Sequence, residues 1–301
     1  MESCLDSILA QQCPFAYEVL LGEDDSSDGT RAIAQRYAAE HPDRIRLFLH
    51  RRDQMIRIDG RPTGRHNFLN NLRHARGRYL CHIDGDDYWP DPQRLRIMVE
   101  KMEAEPDLGL AFHNAMNVWD DGREQPYFDP AKAKPRFPLE ELTEANFIPT
   151  SGVIWRWEGM QEFPEAFRTA PSAIGRSTCI SRKGPIGYVD RIMSVRRVHE
   201  GGIMSVMGEL RTMRGIALAY EVMHGQATDR LAPAALVRWA KQITDGFDAR
   251  CTPAIVRTPH GSLRMPGACR MAISASAFAR WWLQLHFPRL MRAYGAWRKG
   301  H

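Results

Sequence analysis

Two acidic clusters constrain this chain more than any other feature: Gly22-Glu23-Asp24-Asp25-Ser26-Ser27-Asp28-Gly29-Thr30, and His82-Ile83-Asp84-Gly85-Asp86-Asp87-Tyr88-Trp89. Each follows an apolar run that reads as a buried strand, residues 17–21 and 78–83. Carboxylates a few ångströms apart repel one another and resist desolvation, so ending two strands in this way is costly. Asp, Ser and Gly are ordinary turn residues, and one such cluster alone reads as an acidic surface turn. Two of them, at the carboxyl ends of strands in a β-α-β pattern, fall where open α/β sheets bind ligands. A divalent cation and the donor groups of a nucleotide account for carboxylates crowded there.

The periodicity along the chain supplies the setting. Residues 1–12 read as a short helix with Leu5, Ile8 and Leu9 on one face. A helix is expected from about Asp28, as N-cap, to Glu40, with Ile33, Ala34, Tyr37 and Ala38 at helical spacing. Residues 45–49 read as a strand. A loop rich in Gly and Arg (59–65) leads to a helix over 66–75. A helix over 92–105 carries Pro92 in its first turn, and residues 108–112 read as a strand. This alternation predicts an α/β fold with a mostly parallel sheet and helices on both faces. Residues 113–145 read as loop-rich, with prolines at 126, 130, 135 and 138, and residues 146–155 as a strand. Further helix is expected over about 206–225, and helical stretches rich in Arg, Trp and Ala follow from 230 to 301.

Composition narrows the class. With 44% hydrophobic and 26% charged residues, the 301-residue chain has ample material for a core. Its six cysteines show no C-x-x-C pair, which reads as reduced thiols rather than a disulfide framework or zinc site. No run of 18 apolar residues suggests a membrane span, and the N-terminus does not read as a secretory signal. Nine positive residues and no acidic one follow Asp248; against a whole-chain net charge of +5, this leaves residues 1–248 at −4. The basic character therefore belongs to the tail. No nucleic-acid recognition motif accompanies it, so no nucleic acid is expected as partner.

The motifs resemble glycosyltransferase family 2, inverting enzymes with the Rossmann-like GT-A fold. Residues 23–30 look like its nucleotide-binding segment, and Asp84-Gly85-Asp86 looks like its DXD metal motif. Arg65-His66-Asn67, Ala75-Arg76-Gly77-Arg78-Tyr79, the string 86–92 and Gly187-Tyr188-Val189-Asp190 followed by Arg197-Val198-His199-Glu200-Gly201-Gly202 agree in order. The resemblance spans about residues 3–205. It implies a nucleotide-sugar donor (a UDP- or GDP-sugar) and a glycan or lipid-linked acceptor, in the synthesis of surface polysaccharide or lipopolysaccharide. It also implies Mg²⁺ or Mn²⁺, with Asp84, Asp86 and His199 as metal ligands. Asp24, with Glu23 beside it, is the expected uracil or ribose contact, since a carboxylate accepts from N–H and hydroxyl groups. Asp84 is expected to reach the ribose, and Arg65 and Arg197 the diphosphate. The implied division is a donor half over 1–112, an acceptor half over 113–229 and a basic extension over 230–301.

Two departures accompany the resemblance. In the family a buried strand precedes the helix that here begins at Met1, so a missing central strand is expected. The usual catalytic Asp is also absent: alignment puts Ala173 or Arg176 at its place, and no Asp or Glu lies between Glu165 and Asp190. Losing a general base costs roughly 10²–10⁴ in rate. Glu165 or Glu162 is a candidate substitute, and Asp87 is expected to orient the loop or meet the acceptor. The alternative reading is a catalytically impaired homologue that binds nucleotide sugar or a partner. Phe278, Trp281, Trp282 and Leu285 share a helical face among basic residues, the make-up of a helix at a membrane interface. A cytoplasmic location, peripheral on the inner membrane, follows from that reading.

Overall fold

The computed structural model describes residues 1–58, 61–138, 141–142, 147–157 and 184–199, with the backbone of 256–258 and 261–263. The chain divides into two compact units: residues 1–169 with 176–208, and residues 170–175 with 209–301. In the second unit the described residues form one antiparallel hairpin, Val256–Thr258 with Gly261–Leu263. The expected acceptor-half and tail helices lie outside the described residues.

The first unit begins with α1 (Glu2–Leu9), which buries Cys4, Leu5 and Ile8. Strand β1 (Val19–Glu23) pairs in parallel with β2 (Ile45–Leu49), joined by α2 (Thr30–Glu40). Leu5 of α1, Tyr37 of α2 and Ile45 of β2 form one apolar cluster, with Val19 and Leu21 packed against it. The helix over 28–40 starts two residues later than the sequence suggests. Gly29, at φ 85°, is its N-cap, because that left-handed turn suits a residue without a Cβ. Asp28 still accepts the Thr30 N–H at 3.1 Å, so it braces the turn from just outside the helix.

A second sheet carries the rest. After β3 (Arg57–Ile58), β4 (Arg61–Pro62) and α3 (Arg65–His74) comes β5 (Tyr79–Cys81). Next are α4 (Arg94–Ala104), β6 (Leu110–Trp119), β7 (Glu124–Pro126), β8 (Arg136–Phe137), β9 (Val153–Arg156) and β10 (Ile186–Val198). The order is β5-β9-β6-β10-β8, with β7 on β6. Strands β5, β6 and β10 run the same way, while β9 lies antiparallel between β5 and β6. Among the described residues β1 and β5 do not pair with one another.

Alternation along the strands explains why helices cover both faces. Leu110 and Phe112 of β6, with Val153 and Trp155 of β9, pack with Phe68, Leu69 and Leu72 of α3. The intervening Ala111 and Ile154 pack with Met98 and Met102 of α4. Period-two side chains thus send one set to α3 and the other to α4. Two sequence expectations change here. Residues 113–119, read as loop, continue β6, and residues 150–152, read as strand, form a 3₁₀ turn before β9.

Candidate functional site

The first acidic loop is built by Glu23, the only β1 residue that is fully buried. Its Oε1 accepts the Ser26 N–H at 2.6 Å, and its Oε2 accepts Asp25 N–H at 3.2 Å and Arg31 Nε at 2.5 Å. Burial pushes this carboxyl up, but the bonds from Ser26 and Arg31 outweigh burial and hold it below its ordinary range. Glu23, expected beside Asp24 at the nucleotide, therefore has both oxygens engaged in shaping the loop. Asp25 takes φ 58° and pairs with Arg31 Nη1 at 3.2 Å, while its carbonyl accepts Arg52 Nε at 3.1 Å.

Asp24 is different. It is half-buried, and among the described residues its Oδ1 is buried without a hydrogen-bond partner. Burial raises its pKa, opposed by His50 and by a hydrogen bond from Asn67. His50 follows β2 directly and extends the ladder: its N–H donates to Glu23 O at 2.8 Å, and its carbonyl accepts Arg31 Nη2 at 2.6 Å. The ring is buried, lies edge-on to His66 with centroids 4.9 Å apart, and leaves Nε2 without a partner among the described residues. Burial lowers its pKa. Arg65 is the first residue of α3.

The second acidic loop follows β5 and is stapled to β10. Asp87 N–H closes a turn on Asp84 O at 3.0 Å. Tyr88 and Val195 exchange backbone bonds of 3.2 and 2.9 Å, and Asp87 Oδ1 accepts the Arg197 N–H at 3.1 Å. His199 Nε2 lies 3.2 Å from Asp86 Oδ2, and His82 Nε2 lies 3.1 Å from Asp84 Oδ1. The Arg197 guanidinium sits 5.3 Å from the Tyr88 ring centroid. Asp87 is buried, and its carboxyl is pushed up to about 7, by desolvation first and then by Asp86 and Asp84. Asp86 and His199, and Asp87 and Arg197, each more than a hundred positions apart in the sequence, thus meet. Two register shifts in β10, between Val189 and Ser194, precede this stretch.

Beneath that loop lies a buried arginine. Arg94 donates to His113 Nε2 at 3.0 Å and Val153 O at 3.1 Å, and its guanidinium stands 4.1 Å from the Trp89 ring centroid. Trp89 in turn donates Nε1–H to Ser151 O at 2.9 Å. Sequence reasoning missed Arg94, His50 and His82. Only His82, two residues before Asp84, had a local signal. Glu165 lies outside the described residues.

A family model described as glycosyl transferase family 2 matches residues 1–154. The uncharacterised protein Rv1520 of Mycobacterium tuberculosis (strain H37Rv) is 33% identical over 156 residues, covering 52% of this chain and 43% of that protein. EpsE of Bacillus subtilis (strain 168), whose name places it with glycosyltransferases, is 36% identical over 100 residues, 33% of this chain and 32% of its own length. EpsJ of the same strain, named an uncharacterised glycosyltransferase, is 29% identical over 116 residues, 38% of this chain and 30% of its own. The chain spans less than half the length of these curated relatives.

Proposed function

The chain belongs to glycosyl transferase family 2, and on that premise we propose that it moves a sugar from a nucleotide-diphosphate donor to a glycan or lipid-linked acceptor. Asp24 would take the nucleoside and the Asp84–Asp87 loop the diphosphate end. The reading is supported most by the pairing of Asp86 with His199, which joins the loop after β5 to the end of β10. Carboxylate oxygens with an imidazole suit Mg²⁺ or Mn²⁺. Among the described residues no three His, Cys, Asp or Glu side chains form a metal cage. An ion there would therefore rest on Asp86 and His199, with Asp84 beside them in the same loop, and would need diphosphate oxygens to complete its shell. Such an ion would neutralise charge on the departing diphosphate.

Asp87 would position rather than abstract a proton, since it is buried and already holds the Arg197 amide. Arg197 is the candidate for the diphosphate. The second reading, binding with little transfer, is favoured by one observation: no carboxylate separates Glu165 from Asp190. Release of UDP or GDP from nucleotide sugar in the presence of acceptor glycans separates the two. Turnover on the order of 1–10 s⁻¹ sustains transfer and makes Glu165→Gln the next variant, whereas metal-dependent binding without release sustains the second reading. No helix among the described residues is long and apolar enough to cross a membrane. The proposed peripheral contact at the cytoplasmic face rests on the tail beyond residue 263, which lies outside the described residues. Co-sedimentation with anionic liposomes, compared with a chain ending near Leu263, tests it.

A further inference from the structure

The proposed reading leaves His50 without a task. Its position is fixed by the backbone, through the bond to Glu23 O and the grip of Arg31 on its carbonyl. The ring is 95% buried (5% exposed), yet Nε2 has no hydrogen-bond partner among the described residues. Asp24, close enough to influence its protonation, presents a second buried atom, Oδ1, without a hydrogen-bond partner among the described residues. A buried polar atom left unsatisfied costs free energy, and native structures hold few of them. Two at the carboxyl ends of adjacent parallel strands, where open α/β sheets take ligands, form an arrangement that a bound molecule completes.

The chemistry of the pair says which part of a nucleotide it suits. An ionised Asp24 only accepts, so a hydrogen-bond donor must face it, and a phosphate would be repelled. Burial favours the neutral His50 ring, which offers one N–H or one lone pair at Nε2. The edge-on His66 ring and Gly64, whose added Cβ would come within 3.6 Å of Asp24 Oδ2, bound the same place. A planar edge with an N–H beside a second polar atom satisfies both groups, and the edge of a nucleobase has that pattern.

We infer that His50 is a second hydrogen-bond partner of the donor's nucleobase beside Asp24, and that it sets which base is preferred. This rests on the proposed reading of the Asp24 loop as the nucleoside site. The test measures dissociation constants of the full chain for UDP, CDP, GDP and ADP with Mn²⁺, and for inorganic pyrophosphate as a base-free probe. His50→Phe keeps a ring against His66 and deletes the nitrogen. The parent is expected to favour one base by about tenfold or more. In His50→Phe that preference should collapse to within about threefold, with pyrophosphate binding unchanged. His50→Gln, which keeps an amide, should shift the preference, and it serves if the Phe variant folds poorly. An unchanged ranking, an equal loss for all four nucleotides, or a parent without preference overturns the role of His50. A parent that binds neither nucleotide nor pyrophosphate overturns the donor-site reading itself, and this inference with it.

Discussion

The two acidic loops differ in where their partners come from. Around the first, the contacts run within residues 19–67, between neighbouring elements, and two buried polar atoms remain unpaired among the described residues. Around the second, Asp84 is met by His82 just after β5, Asp86 by His199 just after β10 and Asp87 by Arg197 within β10, and Arg94 and Trp89 hold the floor beneath. A loop set by local geometry can keep acceptors open for a ligand. A loop assembled across more than a hundred residues must be organised by the fold before any ligand arrives. This contrast predicts that substitutions beneath the second loop unfold the protein, while those lining the first alter binding with smaller losses of stability.

The largest effect is expected at Arg94. Replacing a buried charge by an apolar side chain can be neutral when its partners leave too. Here Arg94→Leu strands His113 Nε2 and the Val153 carbonyl, each with a desolvation cost of about 1–3 kcal/mol. A stability loss of about 3 kcal/mol or more in urea unfolding is the expected outcome. A loss below about 1 kcal/mol would break the comparison, because the second loop would then need no floor.

Gly22→Ala probes the first loop more gently. A Cβ there would stand 1.8 Å from Asn67 Oδ1, so the amide that supports Asp24 must swing away. A loss of about 1–3 kcal/mol is expected from such overpacking, and combining it with Asn67→Gly should recover most of it. No recovery in the pair would show that the strain lies elsewhere.

Acid sensitivity should be smaller still and belongs to the second loop's floor. His113 must be neutral, since Nε2 accepts from Arg94 while Nδ1–H donates to Asn114 O. Full burial first, and the Arg94 charge second, hold its pKa well below the ordinary 6.5. The unfolded chain then binds a proton that the folded one refuses, so stability is complete above about pH 6.5 and is lost as pH falls below it. The melting temperature should drop between pH 7 and 5, and drop less in His113→Gln. Identical profiles for the two proteins would contradict the assignment.

How much of this was legible in the sequence follows the same division. Strand β2 and helix α3 came out of apolar spacing almost residue for residue, and the acidic loops announced themselves. β6 was cut short because the prolines at 126, 130, 135 and 138 made 113–145 read as loop, and the buried His113 and Asn114 broke the apolar run. In the structure Arg94 satisfies the histidine, and Asn114 bonds both Phe128 N–H (2.8 Å) and Phe128 O (2.7 Å). A buried polar residue paired at long range leaves no local pattern. His50 escaped for a related reason: nothing in Leu49-His50-Arg51 tells that the ladder runs one residue past β2 and buries the ring. Asp84, Asp86, Arg197 and His199 were singled out through motif order, and the structure brings Asp86 against His199.

The central claim is that the loop after β5 and the end of β10 form one metal-dependent donor site. A double-mutant cycle tests it most directly, with Mn²⁺-dependent UDP affinity measured by calorimetry for the parent, Asp86→Asn, His199→Gln and the pair. If the two side chains share an ion, each single change weakens binding about tenfold or more, and the double falls short of the sum by about 1 kcal/mol or more. Additive effects, or affinity that is indifferent to both, would contradict it.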